Sequence, residues 1–382
     1  MAGLYIHIPF CFQRCIYCDF FSYTGMGYKE PYLSALVAEM AMRRDYVGGE
    51  TIDTIYFGGG TPSVLAASDF ERVFEAIYRL FTVREDAEVT LEANPDDIRG
   101  AYVMSLLRLP FNRISMGVQS FSDKDLGFLN RRHTGREARE AILLCRAEGY
   151  DNISIDLIYG IPGQTPAIWD ANLEEAIRLA PHISAYHLTY EKGTPLYRMR
   201  EEKRVEEVGE EAALSLFERL TGRLSGAGYL QYEISNFAMP GYISRHNSAY
   251  WEDKKYLGLG PSAHSYDING RQWNVASIQR YIRGIEKGQP EAESERLDAD
   301  DKYNEYIMTR LRTCGGIDLE YILTIFGEHK LRYFNKQAQP FIDGQLLDKT
   351  AGGWKLSRQA LFISDTVIRQ LFWVDSYTKH GI

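Results

Sequence analysis

The chain has 382 residues, of which 25% are charged, and a net charge of −9. That acidic balance argues against a general nucleic-acid binder, whose footprint is basic, and no apolar run reaches membrane-spanning length. An odd count of 5 cysteines without a signal-peptide pattern argues against a disulfide framework and points to a reducing, cytoplasmic setting.

From the N-terminus, apolar strands alternate with amphipathic helices. Leu4 to Pro9 reads as a strand and leads into Cys11-Phe12-Gln13-Arg14-Cys15-Ile16-Tyr17-Cys18. Pro31 to Arg44 has helical spacing, with Leu33, Leu36, Val37 and Met40 on one face. Ile52 to Phe57 is a second predicted strand, running into Gly58-Gly59-Gly60-Thr61-Pro62. A helix is predicted from Ser68 to Leu80, with Ser68 as N-cap and Glu71 three residues on. Ala87 to Leu91 ends at Glu92-Ala93-Asn94-Pro95, and Arg113 to Val118 ends at Gln119. After a helical run at Arg136 to Glu148, Asn152 to Ile158 carries Asp156 and closes on Gly160-Ile161-Pro162-Gly163. A helix at Ile168 to Leu179 leads to a sixth strand, His182 to Thr189.

Repeated βα order predicts a parallel sheet with right-handed crossovers. Six units predict an incomplete (β/α)6 barrel. The cysteines, the glycine run, Glu92, Gln119 and Asp156 all fall at or near the C-terminal ends of different predicted strands, the edge on which parallel barrels build their sites.

The second half is less patterned. Arg200 to Glu211 is a charge-rich link, Ala213 to Leu224 a helix and Gly228 to Ile234 a strand. Tyr256 to Ser265 reads as a glycine-rich turn, and the acidic stretch from Gln289 to Lys302 as a boundary. Helices are predicted at Tyr303–Arg312, Leu319–Phe326, Leu331–Phe341 and Asp365–Trp373, with a hairpin around Gly352-Gly353. The expected division is a barrel over 1–200, a connecting segment over 201–290, and a smaller, mostly helical, winged-helix-like domain over 291–382.

Three thiols within eight positions can converge on one inorganic centre. A structural zinc site or a closed cubane takes four ligands. A [4Fe–4S] cluster held by three leaves one iron open for a second molecule. Zinc with His7 as fourth ligand, a disulfide and simple burial are the alternatives. Cys145 reads as a buried helix thiol, and Cys314 carries no partner signal. The glycine run is either a tight turn or a place where bare backbone approaches a small zwitterion. Glu92 and Asp156 are either solvated strand-end carboxylates or partners of ribose hydroxyls or of a cation such as Arg131. In His246-Asn247-Ser248-Ala249-Tyr250-Trp251, a histidine sits beside aromatics that could cover a macrocycle while the imidazole ligates its iron. The alternative is a hydrogen-bonded histidine beside packed aromatics. His7, His187 and His264 are further candidate ligands or core residues.

Taken together, the Tyr5-Ile6-His7-Ile8-Pro9-Phe10-Cys11 entry, the CxxxCxxC loop, Gly58-Gly59-Gly60-Thr61-Pro62, Arg113 to Gln119 and Asp156 to Gly163 resemble the radical S-adenosylmethionine superfamily. Within it, the chain looks like the branch of oxygen-independent coproporphyrinogen III oxidases and HemW-type heme chaperones. The resemblance implies that Cys11, Cys15 and Cys18 ligate a [4Fe–4S] cluster. It further implies that Tyr5, Tyr17, Gly59, Gly60, Thr61, Glu92, Gln119, Arg131 and Asp156 bind S-adenosylmethionine, and that His246, Tyr250 and Trp251 contact heme. The oxidase pattern continues to CxxxCxxCxC, whereas Asp19-Phe20 follows Cys18 here, and this departure favours the chaperone group. The partners implied are heme, apo-hemoproteins such as respiratory cytochromes, and an electron donor for the cluster. Peripheral membrane association and a homodimer are compatible with that role. The alternative function is a radical oxidative decarboxylase acting on coproporphyrinogen III or another tetrapyrrole.

Overall fold

In the first half, apolar residues at alternate positions build strands that bury one face against helices. The computed structural model describes residues 1–374. Six parallel strands follow one another, β1 (Ala2–Ile8), β2 (Ile52–Gly59), β3 (Val83–Ala93), β4 (Arg113–Gln119), β5 (Ile153–Tyr159) and β6 (His182–His187). Between them run α1 (Lys29–Met42), α2 (Ala67–Leu80), α3 (Gly100–Leu106), α4 (Asp123–Phe128), α5 (Gly135–Ala147) and α6 (Pro166–Leu179). Leu4, Ile6 and Ile8 of β1 are fully buried toward the helices. Phe57 of β2 packs against Phe70 and Phe74 of α2 and against Phe111, with ring centroids 5.3–5.4 Å apart. The intervening residues Gly3, Tyr5 and His7, and Thr54, Tyr56 and Gly58, line the other, inner face.

The remaining elements, α7 (Pro195–Glu201), α8 (Glu210–Gly226), β7 (Leu230–Gln231), β8 (Asn236–Ala238), α9 (Arg245–Trp251), β9 (Tyr256–Leu259), β10 (His264–Tyr266), β11 (Gly270–Asn274), α10 (Ile278–Glu286), β12 (Ala292–Arg296) and α11 (Ala299–Leu311), enlarge that sheet. Twelve strands lie in the order β12-β11-β10-β9-β1-β2-β3-β4-β5-β6-β8-β7, a partial barrel with two edges. β9 runs parallel to β1, and β10 to β12 then extend that edge antiparallel.

Three expectations are corrected here. Tyr256–Ser265 is a strand, a tight turn and a second strand, because β1 supplies β9 with a partner that no local pattern shows. The acidic stretch beyond Gln289 holds β12, which pairs with β11 along five residues. Helix α2 starts one residue earlier than predicted. Its N-cap is Ala66, whose N–H donates to Asp69 Oδ2 at 2.9 Å, in place of a Ser68 cap.

A second core forms around Tyr303, Ile307, Phe334, Leu347, Val367 and Leu371. It joins α11 to helices at Gly327–Asp343 and Ser364–Leu371 and to a small three-stranded sheet. The C-terminal part is thus mostly helical with a small sheet. It meets the barrel through backbone bonds such as Cys314 N–H to Tyr232 O at 3.0 Å. Among the described residues no helix is long and apolar enough to cross a membrane.

Candidate functional site

The cysteine loop is latched to the barrel mouth from several sides. Gln13 donates to the Asn130 carbonyl at 2.9 Å, and the Asn130 side chain donates to the Arg14 carbonyl at 3.0 Å. The Leu196 N–H at the start of α7 reaches the Ile16 carbonyl at 2.9 Å. Tyr17 packs with Leu129, Ile158, Ile161 and Leu196 in a small apolar cluster. All three loop cysteines are free thiols. Thr61 Oγ1 donates to Cys11 Sγ at 3.3 Å, and Arg131 Nη1 to Cys15 Sγ at 3.2 Å. Burial pushes the Cys11 thiol up, with the Thr61 hydroxyl opposing, and pushes the Cys18 thiol up to about 11. Cys11 and Cys18 are therefore protonated as free thiols unless a metal takes the place of the proton.

Among the described residues no three His, Cys, Asp or Glu side chains are grouped closely enough to hold one metal ion. His7, the alternative zinc ligand, is engaged at both nitrogens: Nδ1 by Tyr5 OH at 3.2 Å and Nε2 by the Phe21 carbonyl at 2.9 Å.

Arg131 is no surface arginine. Its Nη2 also reaches Asn94 Oδ1 at 2.7 Å and the Gly117 carbonyl at 2.6 Å, tying the loop to the ends of β3 and β4. Each glycine after β2 is required by a close approach. A Cβ on Gly58 would lie 2.9 Å from Glu92 Oε1, one on Gly59 would overlap the His7 ring, and one on Gly60 would press on the carbonyls of Ile8 and Phe10. Gly59 also has a positive φ of 102°.

The mouth opens onto an inner wall of Tyr5, Tyr56, Glu92, Asp156 and Tyr186. These groups are hemmed in by protein yet each keeps a face accessible to solvent. Glu92 accepts from Tyr56 OH at 2.7 Å and from the Gly59 N–H at 3.2 Å. Burial raises its pKa to about 7, partly opposed by the Tyr56 hydrogen bond, with the charge of Asp156 adding to the rise. Burial likewise raises Asp156 to about 6, against a hydrogen bond from Ser184. Neither carboxylate has an ion-pair partner among the described residues. Two desolvated carboxyls without cations, facing a cavity, are suited to ligand hydroxyls or an ammonium. Gln119 closes the β4 edge in the left-handed region at φ 65°, its amide turned back over Gly117.

His246 occupies a different place. On β2, Thr54 lies on the far side of Tyr56 from the glycine run, and His246 Nδ1 is 2.7 Å from its hydroxyl. Nε2 is 2.9 Å from Tyr250 OH, and the ring stacks on Tyr56 at 4.9 Å. The Glu88 carboxylate accepts the N–H groups of Arg245 and His246, both at 2.9 Å, at the N-terminus of α9. His246 is 2% exposed, and burial pulls its pKa down to about 3. The helix plugs the barrel floor. As folded, His246 has no free nitrogen for an iron, so the ligand role expected for it requires α9 to leave the floor. Tyr250 keeps a face in solvent, and the half-buried Trp251 has an indole N–H without a partner among the described residues.

The Radical SAM superfamily profile matches residues 5–180, and the HemN C-terminal domain profile matches 297–363. The heme chaperone HemW of Mycobacterium tuberculosis is 32% identical over 97% of this chain and 94% of its own. That of Bacillus subtilis is 32% identical over 96% and 98%, and that of Escherichia coli 36% over 81% and 82%. The chain belongs to the HemW family of the radical S-adenosylmethionine superfamily. The fold agrees. The structure of the coproporphyrinogen III oxidase HemN from Escherichia coli superposes with a TM-score of 0.84 at 22% identity, covering 98% of this chain and 90% of that one.

A radical S-adenosylmethionine fold implies a [4Fe–4S] cluster and S-adenosylmethionine, and the residues of this HemW relative fit both. Three soft thiols, two of them held by a guanidinium and a hydroxyl, lie at the same mouth as the unpaired carboxyls and the glycine cradle. Tyr56 and Asn94 belong to this constellation and escape sequence reading. Tyr56 betrays itself only through strand alternation with Gly58, and Asn94 through its place beside Glu92.

Proposed function

We propose that the protein is a heme chaperone, taking up heme and delivering it to acceptor hemoproteins such as respiratory cytochromes. One observation carries the reading: the similarity to HemW chaperones runs almost end to end, through the cysteine loop, the barrel and the C-terminal module. Cys11, Cys15 and Cys18 hold three irons of the cluster and leave the fourth open. S-adenosylmethionine lies between Tyr5, Tyr17, Gly59, Gly60, Thr61, Glu92, Gln119, Arg131 and Asp156. When bound, the pair supplies a redox centre and a reducible sulfonium at the mouth. The chain's own residues do the positioning: Arg131 and Thr61 orient two thiols, the glycines admit the cofactor to the backbone, and Glu92 and Asp156 accept from its hydroxyl or ammonium groups. A cytoplasmic location, an electron donor for the cluster, peripheral contact with the membrane of the acceptor cytochromes, and a homodimer belong to this reading.

The second reading is an oxygen-independent coproporphyrinogen III oxidase, favoured by the shared fold and the complete cavity wall. Asp19-Phe20 after Cys18 weighs against it. Anaerobically reconstituted protein, offered hemin in one arm and coproporphyrinogen III with S-adenosylmethionine and dithionite in the other, separates the two. Heme binding without decarboxylation is expected. Substrate-dependent 5′-deoxyadenosine with loss of carboxylates would establish the oxidase instead.

A further inference from the structure

If heme is the cargo, its iron needs a ligand in reach of solvent. The chain has 8 histidines, of which seven are among the described residues. His7, His182 and His246 are at most 4% exposed and hydrogen-bonded at both ring nitrogens. His133 is 3% exposed, with Nε2 on the Val118 carbonyl at 3.0 Å. His187 is half-buried, and its Nε2 is pressed so close to Gly160 that a Cβ there would lie 2.6 Å away. Among the described residues the exposed histidines are His264 and His329. His329 stands against Trp373 on the C-terminal module.

His264 stands on β10, two strands in from the β12 edge of the sheet, and the turn before it sets its place. The turn after β9 uses positive φ angles at Gly260 (99°) and Ser262 (63°). It folds β10 back across Gly258, where any Cβ would collide with the His264 backbone. Gly258 is paired with Tyr5 of β1, so the crossing carries His264 toward the wall that bears Tyr5 and His7. It comes near enough to His7 for a charge on His264 to oppose protonation of His7. The imidazole rests on the indole of Trp273, its cross-strand partner, with centroids 5.8 Å apart and planes 23° from parallel. Neither nitrogen has a hydrogen-bond partner among the described residues. Burial, and next the Arg271 charge, hold its pKa below the ordinary histidine value, which leaves a neutral ring with a lone pair at pH 7.

We propose that His264, exposed on β10 and seated on Trp273 of β11, is the residue that ligates the iron of the heme this protein carries. The assignment rests on the chaperone reading. The imidazole lone pair would coordinate the iron in place of water, with no bond to carbon made or broken and no change of oxidation state. Trp273, stacked face to face on the imidazole, fixes the orientation of the ring. An exposed ligand also suits a cargo that has to leave again.

The test is hemin titration of the full-length, cluster-reconstituted protein, followed by Soret absorption and by electron paramagnetic resonance of the ferric iron. Three variants are compared: His264→Ala, His264→Gln, and His329→Ala as the other exposed histidine on a tryptophan. Loss of about tenfold or more in affinity, with a changed ferric spin signature in both His264 variants and a normal cluster spectrum, is expected. His329→Ala should match the wild type, and added imidazole should restore the wild-type signature to His264→Ala. Wild-type affinity and spectrum in both His264 variants would overturn the assignment while leaving the chaperone intact. A wild type that binds no heme would overturn the chaperone reading, and the assignment with it.

Discussion

Glu92 shows how a single side chain can work against the fold that holds it. Its pKa in the folded protein is about 7 against an ordinary 4.5. The folded state therefore binds this proton more tightly than the unfolded chain does. The resulting penalty is absent below about pH 4.5, grows between there and pH 7, and is complete above. Glu92→Gln should accordingly stabilise the cofactor-free protein at pH 8 by about 1–2 kcal/mol, allowing for the face left in water, and not at pH 4. Denaturant melts at the two pH values read this out, and equal or lower stability at pH 8 would contradict it. Affinity for S-adenosylmethionine should run the other way, falling as Glu92 and then Asp156 take up protons between about pH 7 and 6. Calorimetric titration across that window tests this, and a flat profile would remove both carboxylates from the binding site. His246→Ala should cost about 2–4 kcal/mol, because it strands Thr54 and Tyr250 in the floor and opens a cavity under Tyr56. A variant as stable as the wild type would show that α9 is not the plug described. At this scale the cysteines, the glycine run and Glu92 were legible, because their chemistry is local. The place of His246 was not, because it is fixed by Thr54, 192 residues away.

Among the elements, those of the first half were legible because each strand's alternation and each helix's apolar stripe fall within one segment. The short helices α3, α4, α7 and α9 run only 6–7 residues, too few for a period to show. The strands β9, β10, β11 and β12 were missed for another reason: they are strands only because β1 lends an open edge to β9 and each then pairs with the next. Gly258 is the hinge of that extension. Gly258→Ala should displace β10 and shift the heme spectrum while leaving the cluster spectrum of the cysteine loop unchanged. An unaltered heme spectrum in a folded variant would mean that the crossing of β10 over β9 does not set the heme site.

Over the whole molecule, the acidic chain, the parallel barrel and a mostly helical C-terminal part were legible, whereas the continuity of the sheet from β12 to β7 was not. That continuity gives the protein three stations. A mouth holds the thiols and carboxyls, a floor is sealed by α9, and the strands beyond β9 carry His264 and Trp273. The most direct test is transfer. Cluster-reconstituted protein is loaded with hemin and mixed with an apo-cytochrome, and the cytochrome's own absorption bands are followed. Stoichiometric heme binding followed by growth of those bands is the predicted result. Failure to bind hemin, or decarboxylation of coproporphyrinogen III by the same preparation, would contradict it.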